Sequence, residues 1–122
     1  MKLSRIILFG NDIGALKVFY QSVFNFSLIE EIENEWLVFN AGVIEIAFHR
    51  IGESFRNEDS FRAESNVKLV FSIEEDIEEV RKRLIESGAK MKDIKSFEGI
   101  DFLFCDGEDI EGNIFQLSQK KA

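Results

Sequence analysis

The sequence predicts an α+β fold made of two βαβββ modules placed side by side. A strand, a helix and three further strands follow one another twice along the chain, and each predicted helix has one apolar face. Arg5 and Lys68 stand 63 residues apart, and so do Asn25 and Gly88. A repeated unit that cannot close a sheet alone is expected to pack beside its copy. We therefore predict a curved mixed sheet with a groove on one face and both helices on the outer face.

Length and composition predict one domain over residues 1–122. Of the 122 residues, 45% are hydrophobic, which is enough to fill a single core. No apolar run approaches the roughly 20 residues of a spanning helix and no secretory signal is recognisable, so we expect a cytoplasmic protein without a membrane partner. The net charge of −8 repels phosphate backbones, so we expect no nucleic-acid partner.

The first module is predicted over about residues 1–50. Residues 3–9 form an apolar run rich in isoleucine, which predicts a strand, and Asp12 in the polar turn that follows is a helix N-cap residue. Apolar side chains recur at helical spacing over 12–24, and Asn25 suits the left-handed conformation that ends a helix. Three more strands are predicted over 26–32, 35–39 and 43–49.

The segment over residues 51–65 is predicted to connect the modules. It loses all periodicity and gathers charged and polar side chains around Phe55 and Phe61. Two interpretations stay open: a solvated surface loop with two phenylalanines beneath it, or a lid over a binding site.

The second module is predicted over residues 66–122. A strand over 66–73 precedes a helix over 75–87, and Gly88 is the expected end of that helix. The only cysteine, Cys105, lies in an apolar run and is predicted to be an inert thiol. Three further strands are predicted over 89–97, 101–105 and 113–119.

Several short motifs in this order resemble the vicinal-oxygen-chelate superfamily, which includes glyoxalases, bleomycin resistance proteins and extradiol dioxygenases. The motifs are Asp12-Ile13, Phe19-Tyr20, Phe24-Asn25-Phe26, Glu45-Ile46, Ile85-Glu86-Ser87-Gly88-Ala89 and Asp109-Ile110-Glu111-Gly112-Asn113-Ile114-Phe115-Gln116-Leu117. The resemblance covers nearly the whole chain, although Ile110 stands where the family commonly has proline. It implies the side-by-side modules, a small-molecule ligand and a homodimer.

In metal-dependent members of that family, four side chains on the inner sheet face hold a divalent cation. The matching positions here are Arg5, Glu45, Lys68 and Gln116. Arginine and charged lysine are poor ligands, and one carboxylate with one amide is too weak a set to hold a metal. We therefore expect no metal and no cofactor.

Strand alternation predicts that a shared groove carries five polar side chains on an apolar floor. These candidate ligand-binding residues are Arg5, Glu45, His49, Lys68 and Gln116. An ion pair between Arg5 and Glu45 is expected, which leaves Lys68 or Arg5 to meet an anionic or carbonyl oxygen of a ligand. His49, the only histidine, is either a general base or a surface side chain.

The leading interpretation is a metal-independent protein that binds a small molecule in the groove. The first alternative is a lyase, isomerase or dioxygenase of the glyoxalase type, for which Glu45 and His49 are the weak catalytic candidates. The second is a structural or interaction domain, in which the Arg5 and Glu45 pair belongs to the core and side chains close the groove.

Overall fold

The computed structural model describes residues 1–52 and 62–122. The chain divides into two compact units, Met1–Ala63 and Glu64–Ala122, called here the first and second units. Most of the predicted connector, including Phe55 and Phe61, lies outside the described residues, so its role as a loop or a lid stays a prediction. The single domain and the shared groove also stay predictions.

The first unit has the predicted βαβββ order. Its elements are β1 (Arg5–Gly10), α1 (Ile13–Ser22), β2 (Ser27–Ile32), β3 (Trp36–Asn40) and β4 (Glu45–Arg50). The strands form one sheet in the order β1-β4-β3-β2, in which β1 and β4 are parallel and the other neighbours are antiparallel. Parallel pairing of β1 with β4 follows from the intervening helix and hairpin, which return the chain beside its own start.

The predicted helix signals of the first unit are present in the structure. The Asp12 side chain accepts a hydrogen bond from the Ala15 backbone N–H at 3.0 Å, so it caps α1. Asn25 has a φ of 55°, the left-handed conformation expected after a helix. Tyr20 of α1 is buried, and its ring lies 4.8 Å from that of Phe48 on β4. The apolar face of α1 therefore covers one face of this sheet.

The second unit repeats the βαβββ order, except that two short strands take the place of the strand after its helix. Its elements are β5 (Leu69–Ile73), α2 (Ile77–Glu86), β6 (Lys90–Met91), β7 (Lys95–Ser96), β8 (Phe102–Glu108) and β9 (Ile114–Lys120). The sheet order is β5-β9-β8-β6, with β7 also paired to β8. Strand β5 is parallel to β9, as β1 is to β4.

Two details of the predicted second module are wrong. The strand predicted over 89–97 is two short strands, because the register against β8 shifts by one residue between the pairs Met91–Gly107 and Lys95–Phe104. The gapless repeat also fails: Asp76 caps α2 as Asp12 caps α1, and these two lie 64 rather than 63 residues apart. Strands β1 and β5 also begin 64 residues apart, at Arg5 and Leu69, so the offset of 63 holds for Asn25 and Gly88 but not for the elements before them.

The turn between β8 and β9 is organised by a buried carboxylate. Asp109 is 1% exposed, and its Oδ1 accepts backbone N–H bonds from Glu111 and Asn113, both at 2.9 Å. Its Oδ2 accepts a third bond from the Asn113 amide at 2.8 Å. Gly112 has a φ of 91°, which a glycine adopts without steric cost. The predicted Gly-Asn turn is thus present, and Asp109 fixes the start of β9.

Neither helix in the described ranges is long and apolar enough to cross a membrane.

Candidate functional site

The sheet face of the first unit that lies opposite α1 carries a polar end and an aromatic end. On β1 and β4, Arg5 stands directly opposite Glu45 and Phe9 stands opposite His49. On β3, Trp36 stands opposite His49 from the other side. Because side chains alternate between faces along a strand, all five belong to one face. We call this the helix-free face of the first unit.

The predicted ion pair between Arg5 and Glu45 is present at the polar end. Arg5 Nη2 lies 2.7 Å from Glu45 Oε1, and Arg5 Nε donates a hydrogen bond to the same oxygen at 2.9 Å. The side chains are 34% and 37% exposed, so solvent screens the pair and its net contribution to stability is about 1 kcal/mol or less. The guanidinium carbon also lies 5.7 Å from the Trp36 ring centroid, within cation–π range.

At the aromatic end, the His49 ring lies between two aromatic rings. Its centroid is 5.8 Å from that of Phe9 and 5.7 Å from that of Trp36. His49 is exposed, as the surface interpretation expected, and Phe9 is 58% exposed. Glu45 is four residues away on the same strand, a separation of roughly 13 Å, so the two catalytic candidates do not form an acid–base pair.

In the second unit, Lys68 and Gln116 share one carboxylate. Lys68 Nζ lies 3.2 Å from Asp106 Oδ2, and the Gln116 amide donates to Asp106 Oδ1 at 2.9 Å. Lys68 is therefore paired with Asp106, but 44% of its side chain is exposed, and its contact with a ligand stays a prediction. Asp106 also stands directly opposite Gln116 in the pairing of β8 with β9.

Sequence reasoning missed Asp106 because it ended the strand at Cys105, whereas β8 continues to Glu108. The sequence nevertheless contained a signal for Asp106. Folding the chain as a hairpin about the Asp109 to Asn113 turn pairs Asp106 with Gln116.

Hydrogen bonding and charge set the ionisation of Asp106. Burial alone would raise the pKa of this carboxyl, but the bonds from Gln116 and Lys68, with the positive charges of Lys68 and Lys95, lower the pKa below its ordinary value of 3.8. Asp106 is therefore a carboxylate at neutral pH, and it holds both neighbouring side chains in place.

In each unit an acid stands opposite an amide, but the strands that carry the acid and the amide are interchanged between the two units. In the first unit the acid Glu45 is on β4 and the amide Asn40 stands opposite on β3. In the second unit the amide Gln116 is on β9 and the acid Asp106 stands opposite on β8. Each unit also contributes one cationic side chain, which is Arg5 on β1 in the first unit and Lys68 just before β5 in the second. A carboxylate forms an ion pair with each of them.

Cys105 is not a nucleophile in this arrangement. Its side chain is 1% exposed, and Sγ donates to the Lys92 carbonyl oxygen at 3.2 Å. Burial raises the pKa of this thiol above its ordinary value of 9.0, although Arg81 opposes the shift. The reactive thiolate is therefore scarce at neutral pH.

The residues at the family's metal positions do not fit a divalent cation. Arg5 and Lys68 bring positive charge, and the neighbouring carboxylates are already engaged by those cations. Within residues 1–52 and 62–122, no three His, Cys, Asp or Glu side chains come close enough to hold a metal ion. No metal-assisted step is derived from these residues.

Solved structures of glyoxalase-type proteins share this fold, so the resemblance seen in the sequence is confirmed at the level of the fold. No protein-family model matches the chain, and no curated protein sequence matches it. Similarity to solved structures, each less than 25% identical to this chain, supports the fold alone.

Three solved structures illustrate the similarity. A glyoxalase-related enzyme from Fulvimarina pelagi has a TM-score of 0.79 and 17% identity, with 98% of this chain and 88% of that chain covered. The fosfomycin resistance protein FosX from Listeria monocytogenes, solved with Mn(II) and sulfate, has a TM-score of 0.78 and 21% identity, with 98% and 90% covered. Lactoylglutathione lyase from Agrobacterium tumefaciens has a TM-score of 0.72 and 15% identity, with 97% and 92% covered.

Proposed function

We propose that the chain is a metal-independent small-molecule binding protein whose ligand lies against the helix-free faces of its sheets. One observation carries the proposal. Both cations that stand at the family's metal positions, Arg5 and Lys68, are held by carboxylates at 2.7 and 3.2 Å. A divalent cation would have to displace these ion pairs and would still meet positive charge, whereas an organic ligand needs only hydrogen-bonding groups and apolar surface.

The polar ends offer defined hydrogen-bonding groups. Both bonds from Arg5 use Glu45 Oε1, and the bond from Gln116 uses its amide nitrogen. Within the described ranges, Glu45 Oε2 and Gln116 Oε1 therefore remain as acceptors beside a cation. A ligand that carries both hydrogen-bond donors and acceptors matches this combination.

Apolar side chains lie beside these polar ends. Ile7 and Phe9 on β1 are 47% and 58% exposed, and Val70 on β5 is 56% exposed. They belong to the same faces as Arg5 and Gln116 by alternation and register. We propose that the apolar part of the ligand covers them.

The glyoxalase-type enzyme receives no comparable support, because Glu45 is engaged by Arg5 and stands far from His49 along β4. The remaining alternative is a structural or interaction domain. Such a domain needs no ligand, and this difference can be measured.

Thermal unfolding in the presence of a chelator tests the proposal. Chelator-treated protein is screened against small anionic and aromatic compounds, and divalent metals are screened separately. We expect an organic compound to raise the Tm, because a ligand at 100 times its Kd adds about 2.7 kcal/mol to stability. The Arg5→Gln, Lys68→Gln double variant should lose the response.

The matched control is Lys82→Gln on the exposed surface of α2, which should keep the response. Stabilisation by divalent metals alone would support the enzyme and contradict the proposal. The absence of stabilisation by any compound would support the structural domain.

The proposal includes a cytoplasmic homodimer. Within the sheet of the first unit, β1 and β2 are the outer strands, and unpaired sheet edges are normally covered. A second copy of the chain is the simplest cover, since most soluble oligomers are symmetric homodimers.

A further inference from the structure

The second unit contains a pocket of about 320 Å³ beside the Lys68 and Asp106 pair. This volume lies at the lower end of the roughly 300–1,000 Å³ found for ligand pockets, so it suits a small molecule. The charged and apolar side chains that define its chemistry are Lys68, Lys90, Lys92, Asp106, Glu108 and Ile114.

Strand order places the lysines at the two sides of the pocket and the carboxylates between them. Lys90 stands opposite Glu108 across β6 and β8, and Glu108 stands opposite Ile114 across β8 and β9. Lys68 precedes β5, the strand on the far side of β9. Lys92 follows β6 directly, and it lines the same pocket as Lys90.

The backbone of Lys92 is anchored on both sides. Its N–H donates to the Asp106 carbonyl oxygen at 2.9 Å, and its own carbonyl oxygen accepts from Arg81 Nε at 2.9 Å and from Cys105 Sγ at 3.2 Å. The position from which this lysine enters the pocket is thus fixed by β8 and α2.

The charges in the pocket do not cancel. Asp106 is taken by Lys68 and Gln116, and within the described residues no ion pair involves Lys90 or Lys92. Among the described side chains that line the pocket, three ammonium groups therefore stand against two carboxylates. This local excess of positive charge occurs in a chain whose net charge is −8, so it is opposite in sign to the surface as a whole.

We propose that this pocket binds a small oxyanion, a carboxylate or phosphate, through the ammonium groups of Lys90 and Lys92. Charge-assisted bonds from two ammonium groups to one anion are among the stronger polar contacts. Apolar surface from Ile114 would lie under the rest of the molecule. The inference deepens the proposed function, on which it rests, because it assigns a chemical class to part of the ligand.

Calorimetric titration of the full chain with inorganic phosphate and with succinate tests the inference, using sodium chloride at matched ionic strength as the reference. We expect saturable binding of at least one probe, with a Kd at least tenfold weaker in the Lys90→Gln, Lys92→Gln double variant. The Lys82→Gln, Lys121→Gln variant removes the same charge elsewhere in the second unit and should bind within twofold of the unsubstituted chain.

Binding of one probe and not the other identifies the anion as phosphate or carboxylate. In ¹H–¹⁵N spectra, the shifted amides should lie at 90–92 and 106–108. Equal weakening in both double variants would mean that binding follows overall charge and would overturn the inference, as would a lack of saturable binding by the unsubstituted chain.

The two proposals fail separately in these experiments. If an organic compound stabilises the chelator-treated protein but neither anion depends on Lys90 and Lys92, only the anion pocket is wrong. If an anion binds at those lysines but no organic compound raises the Tm, only the proposed function is wrong.

Discussion

Asp106 holds together the polar side chains of the second unit. It accepts from Gln116 and pairs with Lys68, and it also lines the pocket beside them. Because the Gln116 nitrogen is committed to Asp106, the orientation of the amide is set and its oxygen faces away from that bond. Asp106 is therefore a positioning residue for whatever ligand reaches Gln116.

Substitution of Asp106 by asparagine should give a pH-dependent loss of stability. The pKa of Asp106 is lowered in the folded chain, so the carboxylate contributes stability above the ordinary pKa of 3.8 and loses it as the pH falls through the lowered pKa. At pH 7 we expect Asp106→Asn to lower the free energy of unfolding by about 1 kcal/mol, since the group is partly exposed.

Urea unfolding at pH 7 and at several values below 3.8 measures the difference, which should shrink towards zero in acid. A difference that stays constant with pH would show that the charge of Asp106 is not the cause.

Arg5 and Glu45 show which part of the site could be predicted from the sequence. They stand opposite one another because β1 and β4 are adjacent and parallel in a single unit, and the βαβββ pattern alone implies that adjacency. The partner of Lys68 needs a different signal, the register of the hairpin formed by β8 and β9. It depends on how far β8 runs before the turn, and apolar alternation ends before Asp106.

At the scale of elements, β6 and β8 approach each other closely at Gly107. A Cβ at this position would overlap Met91 Sδ, lie 2.8 Å from Met91 Cε and come within 3.2 Å of the Lys90 carbonyl oxygen. Gly107 therefore leaves room for the Met91 side chain where the short strand β6 pairs with β8. That pairing sets the position of Lys90.

Replacing Gly107 with alanine should cost about 1–2 kcal/mol of folding stability, because the new methyl group overpacks this contact. In a Met91→Ala background the same substitution should cost less, since the side chain it meets is gone. A double-mutant cycle by urea unfolding measures the coupling. Additive effects of the two substitutions would show that Met91 does not limit the approach of the strands.

Helices and long strands could be predicted to within a few residues because apolar periodicity and capping residues mark them. Asp12, Asn25, Asp76 and Gly88 all appear at the helix ends. The division of β6 from β7 could not be predicted, because it arises from a one-residue shift of register against β8 and leaves the apolar pattern of the strand unchanged.

At the scale of the whole molecule, the duplication is the property that the sequence predicts best. Both units have the same strand order and the same parallel pairing of first and last strands. The repeat is imperfect, since acid and amide exchange strands and the offset between the copies changes from 64 residues at the helices to 63 at Asn25 and Gly88. Duplicated folds keep their frame, while single side chains in each copy change independently.

Light scattering after gel filtration tests the homodimer. We expect a mass twice the 14.1 kDa of one chain at micromolar concentration, because a second copy would cover the outer strands. Dilution should shift the mass towards one chain if the interface is modest in area. A mass of 14.1 kDa at several hundred micromolar would contradict the prediction.

The chain has one tryptophan and one cysteine, and each lies in a different unit. Trp36 lies beside Arg5 and His49, so its fluorescence is a probe placed in the first unit. Cys105 is a buried residue of β8, so the rate at which a thiol reagent modifies it measures the opening of the second unit. The unsubstituted protein thus supplies separate spectroscopic and chemical probes for its two halves, and their folding can be compared without introducing a label.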